Sequence, residues 1–493
     1  MSGSHEIELK FLCAADDLAR VLAAAPPGED ETRELRSVYF DTPDLVLQKK
    51  GVSLRVRESK GRRVQTLKRG DGLAREEHEH PVDGDAPDPR LGPLPEILPD
   101  GAAAALRPAF DVRLTRRQRL VRHGGAKIEL AVDEGEVQAG GRTARISEVE
   151  LELKSGRPKA LFALARELDR AAPLYLSFDS KAARGQALAA GAPLQARRKE
   201  RVELPAGTTA AQAFRATARN ALGQIAANAV VMRDTGQPDA THQLRVAARR
   251  LRSVISTFGP LLSEAEADAI KAELRWLAHT CDAARNLDVL AERVAEARTK
   301  RPAGKGLDEL AEAVATARRS ATAAAVDAVR SQRFRTLMID ATAWIETGAW
   351  LADDAGRDVR DQKATAFAAA ALDRRRRKLR KLARRLDEVS DEARHEARIE
   401  AKKLRYAAET FASLFPEKAT ARFVGRLKAL QEELGALNDV ATAEPVLEGL
   451  DLTPAAAEAA RDLLGRQSKD KAAHIRRAVR AFESLEDAPR FWR

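Results

Sequence analysis

Through about residue 185 the apolar positions return every second residue: Ile7, Leu9 and Phe11, then Leu54 and Val56, then Val149, Leu151 and Leu153. A period of two puts successive side chains on opposite faces, so these segments are predicted strands. Turn clusters such as Lys60-Gly61-Arg62 and Gly140-Gly141 part them, and the Pro-rich stretch 81–99 reads as a loop. Two helices are predicted among the strands, near residues 16–25 and 158–171. From about residue 208 the period becomes helical, in Ala-, Leu- and Arg-rich segments punctuated by Gly259-Pro260, Pro302, Gly348, Pro416 and Pro445. Residues 186–207, with Gly191, Pro193, Pro205 and Gly207, form the natural linker. The expected fold class is α+β in two domains: an antiparallel β domain with flanking helices over 1–200 and an all-α bundle assembly over 208–493.

The polar face of the predicted strands is almost entirely ionisable. Glu6, Glu8 and Lys10 share one face, as do Arg55 and Arg57, Glu77 and Glu79, and Glu129 and Asp133. Lys68 ends the strand at 64–68, and Glu148, Glu150, Glu152 and Lys154 line the strand at 148–154. Arg116 and Arg117 lie on opposite faces, so only one of them points the same way as the rest. Alternation alone is equally compatible with an open sheet whose charged face meets water. Closed into a barrel with charges inward, the same faces would combine carboxylates, which hold hard cations such as Mg²⁺, with Arg and Lys, which neutralise phosphate oxygens. That combination describes a metal–polyphosphate site.

The helical half contains an internal repeat. His242, Arg245, Arg249, Arg250 and Arg252 recur as His395, Arg398, Lys402, Lys403 and Arg405, at offsets 0, 3, 7, 8 and 10. At about 100° per residue, offsets 0, 3, 7 and 10 fall within an arc of roughly 80°. Apolar residues take nearly the opposite side, with Leu244, Leu251, Ile255 and Phe258 in one copy and Leu404, Ala408 and Phe411 in the other. Arg285-Asn286 and Asn438-Asp439 follow the two histidines at the same distance. A cationic ridge that occurs twice suits an anionic ligand that relieves its self-repulsion.

Charge sharpens this division. Residues 1–200 carry 34 Lys and Arg against 32 Asp and Glu, whereas the remainder carries 51 against 42. The excess of +11 therefore sits mostly in the helical half and implies a polyanionic partner there. Two distant cysteines, Cys13 and Cys281, offer no ligand-spaced pair and fit a reducing compartment. The first residues carry no leader pattern and no stretch approaches the ~20 apolar residues of a membrane span, so a cytoplasmic protein with no membrane partner is expected. His78, His80, His123, His279 and His474 are assigned no chemistry, the last two being expected in helices among apolar neighbours. No Walker loop, GxGxxG or Ser/His/Asp order is present, so dinucleotide binding and nucleophilic catalysis have no support.

These motifs resemble two known families. Glu6-Ile7-Glu8-Leu9-Lys10 is similar to the ExExK signature of the CYTH domain, the triphosphate tunnel metalloenzymes. Its companions follow in that family's order: Tyr39-Phe40-Asp41-Thr42, Leu54-Arg55-Val56-Arg57, Thr66-Leu67-Lys68, the acidic strand 148–154, and Ser180-Lys181-Ala182-Ala183-Arg184-Gly185. Gln118-Arg119 is a departure, standing where related sequences often carry an aromatic. The resemblance implies an eight-stranded antiparallel tunnel binding a linear triphosphate with Mg²⁺ or Mn²⁺. In that reading Glu6, Glu8, Glu150 and Glu152 hold metal; Lys10, Arg55, Arg57, Lys68, Arg116, Lys181 and Arg184 clamp phosphates; Glu6, Glu8 and Lys10 are catalytic. The helical half resembles the CHAD domain, the conserved-histidine α-helical domain. That resemblance implies two four-helix bundles related by a pseudo-two-fold and binding of inorganic polyphosphate by the two basic helices, with no specific nucleic acid partner. The expected function is hydrolysis of inorganic triphosphate in a chain that binds polyphosphate and associates with polyphosphate granules. The alternatives are a non-catalytic granule-binding protein, or a tunnel acting as a cyclase or on an organic triphosphate such as ATP or thiamine triphosphate.

Overall fold

The computed structural model describes residues 4–70, 74–262, 264–300, 305–468 and 471–493; the side chains of 4–6, 74–75, 264, 355, 438–443 and 466–468 lie outside the description. The chain divides into two compact units, 1–195 with 331–343, and 196–330 with 344–493.

The first unit is built on an antiparallel sheet: β1 (Ser4–Leu12), β2 (Asp30–Asp41), β3 (Val52–Ser59), β4 (Arg62–Arg69), β5 (Ala74–Pro81), β6 (Arg107–His123), β7 (Ala126–Ala139), β8 (Arg142–Ser155) and β9 (Tyr175–Ser177). Helices α1 (Leu18–Ala24), α2 (Val46–Lys49), α3 (Leu94–Ile97), α4 (Lys159–Ala171) and α5 (Lys181–Ala189) flank it. The long strands β6, β7 and β8 are joined by two-residue turns at Gly124-Gly125 and Gly140-Gly141, all four at positive φ. Such turns match the right-handed twist of a hairpin, and their φ favours glycine. The strand order is β5-β4-β3-β2-β6-β7-β8-β1-β9, and Ser4–Ile7 of β1 also pair with Ala74–Glu77 of β5. Among the described residues the sheet thus has nine strands where eight were expected. The addition is the three-residue β9, which takes the stretch of β1 beyond the β5 ladder, Lys10 facing Ser177.

Alternation sorts the two faces as the pattern requires. Leu9, Phe11, Ile128, Leu130, Val149 and Leu151 are fully buried, and α1 and α4 pack on that side with Leu18, Val21, Leu161, Leu164 and Leu168. The opposite face carries the charges. Helix α5 was not anticipated, although Ser180 caps it by accepting a hydrogen bond from the Ala183 N–H. It occupies the beginning of the stretch read as a linker.

Segment 331–343 joins this unit through charge. Arg335 Nε donates to Asp169 Oδ1 at 2.6 Å, and both side chains are almost fully buried. Arg335 also stands over the Tyr175 ring at 5.6 Å, and Arg166 donates to Asp340.

The second unit consists of α6 (Ala210–Thr235), α7 (Pro238–Thr257), α8 (Glu264–Thr299), α9 (Lys305–Arg330), the end of α10 (Gln332–Thr347), α11 (Arg357–Asp361), α12 (Ala364–Ala383), α13 (Asp391–Thr410), α14 (Glu417–Glu448), α15 (Pro454–Ser468) and α16 (Lys471–Glu486). Helix α7 packs between α6 and α8, α13 between α12 and α14, and α7 and α13 touch each other. The apolar edges expected of the repeat are buried: Leu244, Leu251, Ile255 and Phe258 in one copy, Leu404, Ala408 and Phe411 in the other. Pro445 does not end a helix as expected; it lies within the last turn of α14. Pro302 and the Asn438-Asp439 side chains lie outside the described residues. Among the described residues no helix is long and apolar enough to cross a membrane, and both cysteines are free and buried.

Candidate functional site

Every strand from β1 to β8 contributes to one cavity of about 940 Å³. Its charged lining includes Glu8 and Lys10, Arg33, Arg55 and Arg57, Lys68, Glu77 and Glu79, Arg116, Glu129, Glu150, Glu152 and Lys154, with Lys181 entering from α5. Strand register makes these neighbours. Lys10 faces Glu150 and Glu8 faces Glu152 across β1 and β8, while Asp133 faces both Arg116 and Glu148. Of the pair Arg116 and Arg117, it is Arg116 that lines the cavity.

At one place three carboxylates converge. Oxygens of Asp133, Glu148 and Glu150 lie within 4.8 Å of one another, and Asp133 and Glu148 are completely buried. The Lys181 ammonium touches all three, at 2.8 Å from Asp133 and 2.6 Å from both Glu148 and Glu150. Arg116 donates to both Asp133 oxygens, at 2.7 and 2.6 Å, and also to Glu150. Arg184 reaches Glu148, and Lys10 stands 3.3 Å from Glu150. Burial opposes ionisation of Glu150, but Lys181, Arg116 and Lys10 hold its carboxyl well below the usual range. Both Glu148 oxygens are buried and accept no well-directed hydrogen bond.

A second cluster has the opposite imbalance. Arg57 stands half-buried beside Arg55 and Arg116; its Nε donates to Ser37 Oγ at 3.2 Å, and it has no carboxylate partner among the described residues. Burial, then Arg55 and Arg116, push its guanidinium down to about 9. Lys68 and Arg55 both lean toward Glu77, at 3.2 and 3.9 Å. Tyr39, stacked on Phe110 at 4.5 Å, is the one aromatic side chain lining the cavity among the described residues.

The expected phosphate-binding set is therefore largely gathered: Lys10, Arg55, Arg57, Lys68, Arg116 and Lys181 line the cavity. Arg184 stands just behind it, on Glu148. Of the expected metal set, Glu150 belongs to the converging trio, Glu8 and Glu152 line the cavity, and the Glu6 side chain lies outside the described residues. Asp133 and Glu148 complete the trio without having been in that set, although their shared alternation with Glu129 and Glu150 was visible. Arg33 was missed altogether. Gln118 lines the cavity, whereas Arg119 turns away to Asp30.

In the second unit the two basic helices bring part of the repeat together. Arg245 and Arg249 of α7 share Asp282 of α8, the latter at 2.9 Å. Lys402 of α13 feels burial first and then Arg398, Arg249, Arg245 and Arg405, which together push its ammonium down to about 7. Arg405 lies over the Tyr406 ring at 5.1 Å, and the Arg252 Nε is buried without a hydrogen-bond partner. The offset-eight cations belong elsewhere. Arg250 is buried and donates to Asn220 of α6 at 3.3 Å, and Lys403 stands 3.7 Å from the buried Glu400. Offset eight lies roughly 100–160° from offsets three, seven and ten on a helix, so that outcome was readable.

The histidines also separate. His395 is exposed. His242 lines a different cavity with Arg285, Asp288 and Arg318, and burial with Arg285 and Arg245 lowers its ring's basicity. His279 and His474 are not among apolar neighbours: His279 is 87% exposed near Asp282, and His474 pairs with Glu433 at 2.7 Å.

An antiparallel sheet folded around facing carboxylates and cations, followed by a helical unit with a paired basic face, defines a two-part α+β class of protein. Comparison with known families names both parts. The CYTH domain family model matches residues 4–186 and the CHAD domain model matches 216–448, so the chain carries one domain of each family. It is 33% identical over 197 residues to the inorganic triphosphatase of Haemophilus influenzae, covering 37% of this chain and 55% of that protein. The chain thus spans about half the length of that curated relative. The crystal structure of the CHAD domain from the plant Ricinus communis covers 60% of this chain and 98% of its own, with 29% identity and a TM-score of 0.50.

Proposed function

We propose that the first unit hydrolyses inorganic triphosphate with a divalent cation, Mg²⁺ or Mn²⁺, and that the second binds inorganic polyphosphate. The observation that carries the reading is Arg57: a half-buried guanidinium among other cations, without a carboxylate partner among the described residues, a short way from a converging carboxylate trio. Such a charge is satisfied by an anion entering the cavity, and a polyphosphate chain supplies charge along its length.

The trio suits a hard cation, because its donors are all carboxylate oxygens and the buried Glu148 oxygens lack well-directed hydrogen bonds. Asp133, Glu148 and Glu150, with Glu8 and Glu152 beside them and Glu6 on the same face, would hold it, and it would supply charge stabilisation to the phosphoryl oxygens. The rest is done by the chain's own groups. Arg55, Arg57 and Lys68 grip one end of the triphosphate; Arg116, Lys181 and Arg184 stand at the carboxylate end. Glu8 and Lys10 orient the attacking water, and the guanidinium groups neutralise the leaving pyrophosphate. The absence of an aromatic platform among the described lining residues, apart from Tyr39 held against Phe110, favours a substrate without a base or thiazolium ring.

In the second unit, Arg245, Arg249, Arg398, Lys402 and Arg405 form the polyphosphate-binding face, flanked by Arg252, Arg250, Lys403, His242 and His395, in a pair of four-helix bundles related by the repeat. Phosphate release from inorganic triphosphate, ATP and thiamine triphosphate, each with Mg²⁺, Mn²⁺ or chelator, tests the first half. Fast release from inorganic triphosphate alone, abolished by chelator and by Glu150→Gln, is expected. Equal rates on all three, or full activity in chelator, would overturn it. Binding of long-chain polyphosphate against DNA and RNA at equal phosphate tests the second, with Arg249→Glu plus Lys402→Glu as the control expected to remove the preference.

A further inference from the structure

Lys181 is the first residue of α5 and the only side chain among the described residues that contacts Asp133, Glu148 and Glu150 together. The other cations around the trio are held differently. Arg116 is fixed by a two-point fork on Asp133 and a further bond to Glu150, while Arg184 reaches Glu148 alone. Lys181 instead puts a single ammonium at the centre, on a flexible four-carbon stem that also lines the cavity. Its contacts of 2.6–2.8 Å place one positive charge at the common focus of three carboxylates. A hard divalent cation drawn to the same oxygens, at about 2.0–2.1 Å for Mg²⁺, would compete with that ammonium for the same focus.

We propose that Lys181 is a built-in competitor for the divalent cation: its ammonium must leave the Asp133–Glu148–Glu150 focus before a metal ion takes it. This rests on the placement of the cation given under the proposed function. The stem of Lys181 leads into the cavity, so triphosphate offers the displaced ammonium a new partner and the exchange conserves its ion pairing. Metal and triphosphate then help each other to bind, because each removes what the other must displace. A metal ion alone meets an already compensated trio and binds weakly. Lys181 so couples occupation of the carboxylates to the presence of substrate, which a cation-only clamp on the phosphates would not do.

The test is a titration of the full chain with Mn²⁺ alone, free Mn²⁺ being read by electron paramagnetic resonance, so turnover plays no part. Lys181→Met is expected to tighten Mn²⁺ binding at least tenfold over the unaltered protein, while Lys181→Arg, which keeps the charge, is expected not to tighten it. Glu150→Gln separates the two readings. If it leaves Mn²⁺ binding unchanged, the carboxylate placement fails and this proposal with it. If it weakens binding while Lys181→Met binds no tighter than the unaltered protein, the placement stands and the competition is refuted. Thermal unfolding of each variant confirms a folded chain, and were Lys181→Met to unfold, Lys181→Gln takes its place with the same expected gain.

Discussion

Lys402 is one of two cations, with Lys403, at which the copies of the basic repeat differ chemically, the first copy having Arg249 in its place. Its ammonium is pushed down to about 7 by burial and by Arg398, Arg249, Arg245 and Arg405, against about 10.4 for a lysine in water. A bound polyanion offsets the repulsion from the four arginines and adds its own attraction, so it raises the ammonium's value and favours the proton. Below about pH 7 Lys402 is charged in both the free and bound protein, so affinity there is insensitive to its titration. Above that, binding must take up a proton, and affinity falls by up to tenfold, about 1.4 kcal/mol, per pH unit until the raised value is reached. Between about pH 7 and 9 the loss is therefore as much as ~100-fold. At about pH 8 a group titrating near 7 is only about one-tenth protonated, so uptake should approach ~0.9 proton per bound site. Calorimetric titration of the full chain with long-chain polyphosphate, in two buffers of different ionisation enthalpy, counts that proton directly. Long chains are needed because only their terminal phosphates titrate near neutrality. His242, whose basicity burial, Arg285 and Arg245 lower, is shared by Lys402→Arg and the unaltered protein, so the difference between them isolates Lys402. Lys402→Arg should flatten the pH profile and abolish the uptake. Equal uptake by Lys402→Arg and the unaltered protein, or none by either, would refute the reasoning.

The same group acts on stability with a definite sign: its folded value lies below its unfolded one, so the penalty is absent above about pH 10.4, builds as pH falls, and is complete below about 7. Lys402→Met should therefore raise the melting temperature at neutral pH and lose that advantage in strong alkali. Arg57→Ala should lower kcat/KM for inorganic triphosphate by about 10–100-fold, the worth of a charged hydrogen bond, with only partial recovery in Arg57→Lys because the fork is lost; steady-state kinetics decide it. A Cβ at Gly185 would meet the Phe110 ring at 2.2 Å, so Gly185→Ala should cost about 1–3 kcal/mol in urea unfolding. Arg335→Met strands the buried Asp169 carboxylate and should destabilise the first unit by about 3–5 kcal/mol, partly recovered in the double variant with Asp169→Asn.

What could be read from the chain was what short-range periodicity carries. Leu9 and Phe11 buried against α1 and α4, with Lys10 turned to the cavity, follow from a period of two. The helical repeat was equally open to reading, even to the divergence of Arg250. Depth and convergence were not. Asp133 and Glu148 share a focus because β7 and β8 pair in one particular register, and register is a property of two strands rather than of either alone. Helix α5 escaped notice because it is short, contains Gly185 and begins in a stretch rich in small residues. Arg33 sits in Glu31-Thr32-Arg33-Glu34, where charges fall on both faces and alternation selects neither. Segment 331–343 has the same amphipathic pattern as its neighbours, and nothing local marks Arg335 as the partner of Asp169.

That segment has a consequence for how the protein is made. The first unit comprises residues 1–195 and 331–343, so about 135 residues of other structure are synthesised between its two pieces. At about 5–20 residues per second a ribosome needs roughly 7–27 s to cross that interval. Until then the first unit must wait with Asp169 and the Tyr175 ring lacking Arg335. Folding during translation is thus not a simple passage from one end to the other. The first unit becomes complete only after residues 196–330 of the helical half have emerged, and codon choice or pausing within them would lengthen the time in which that unit is unfinished.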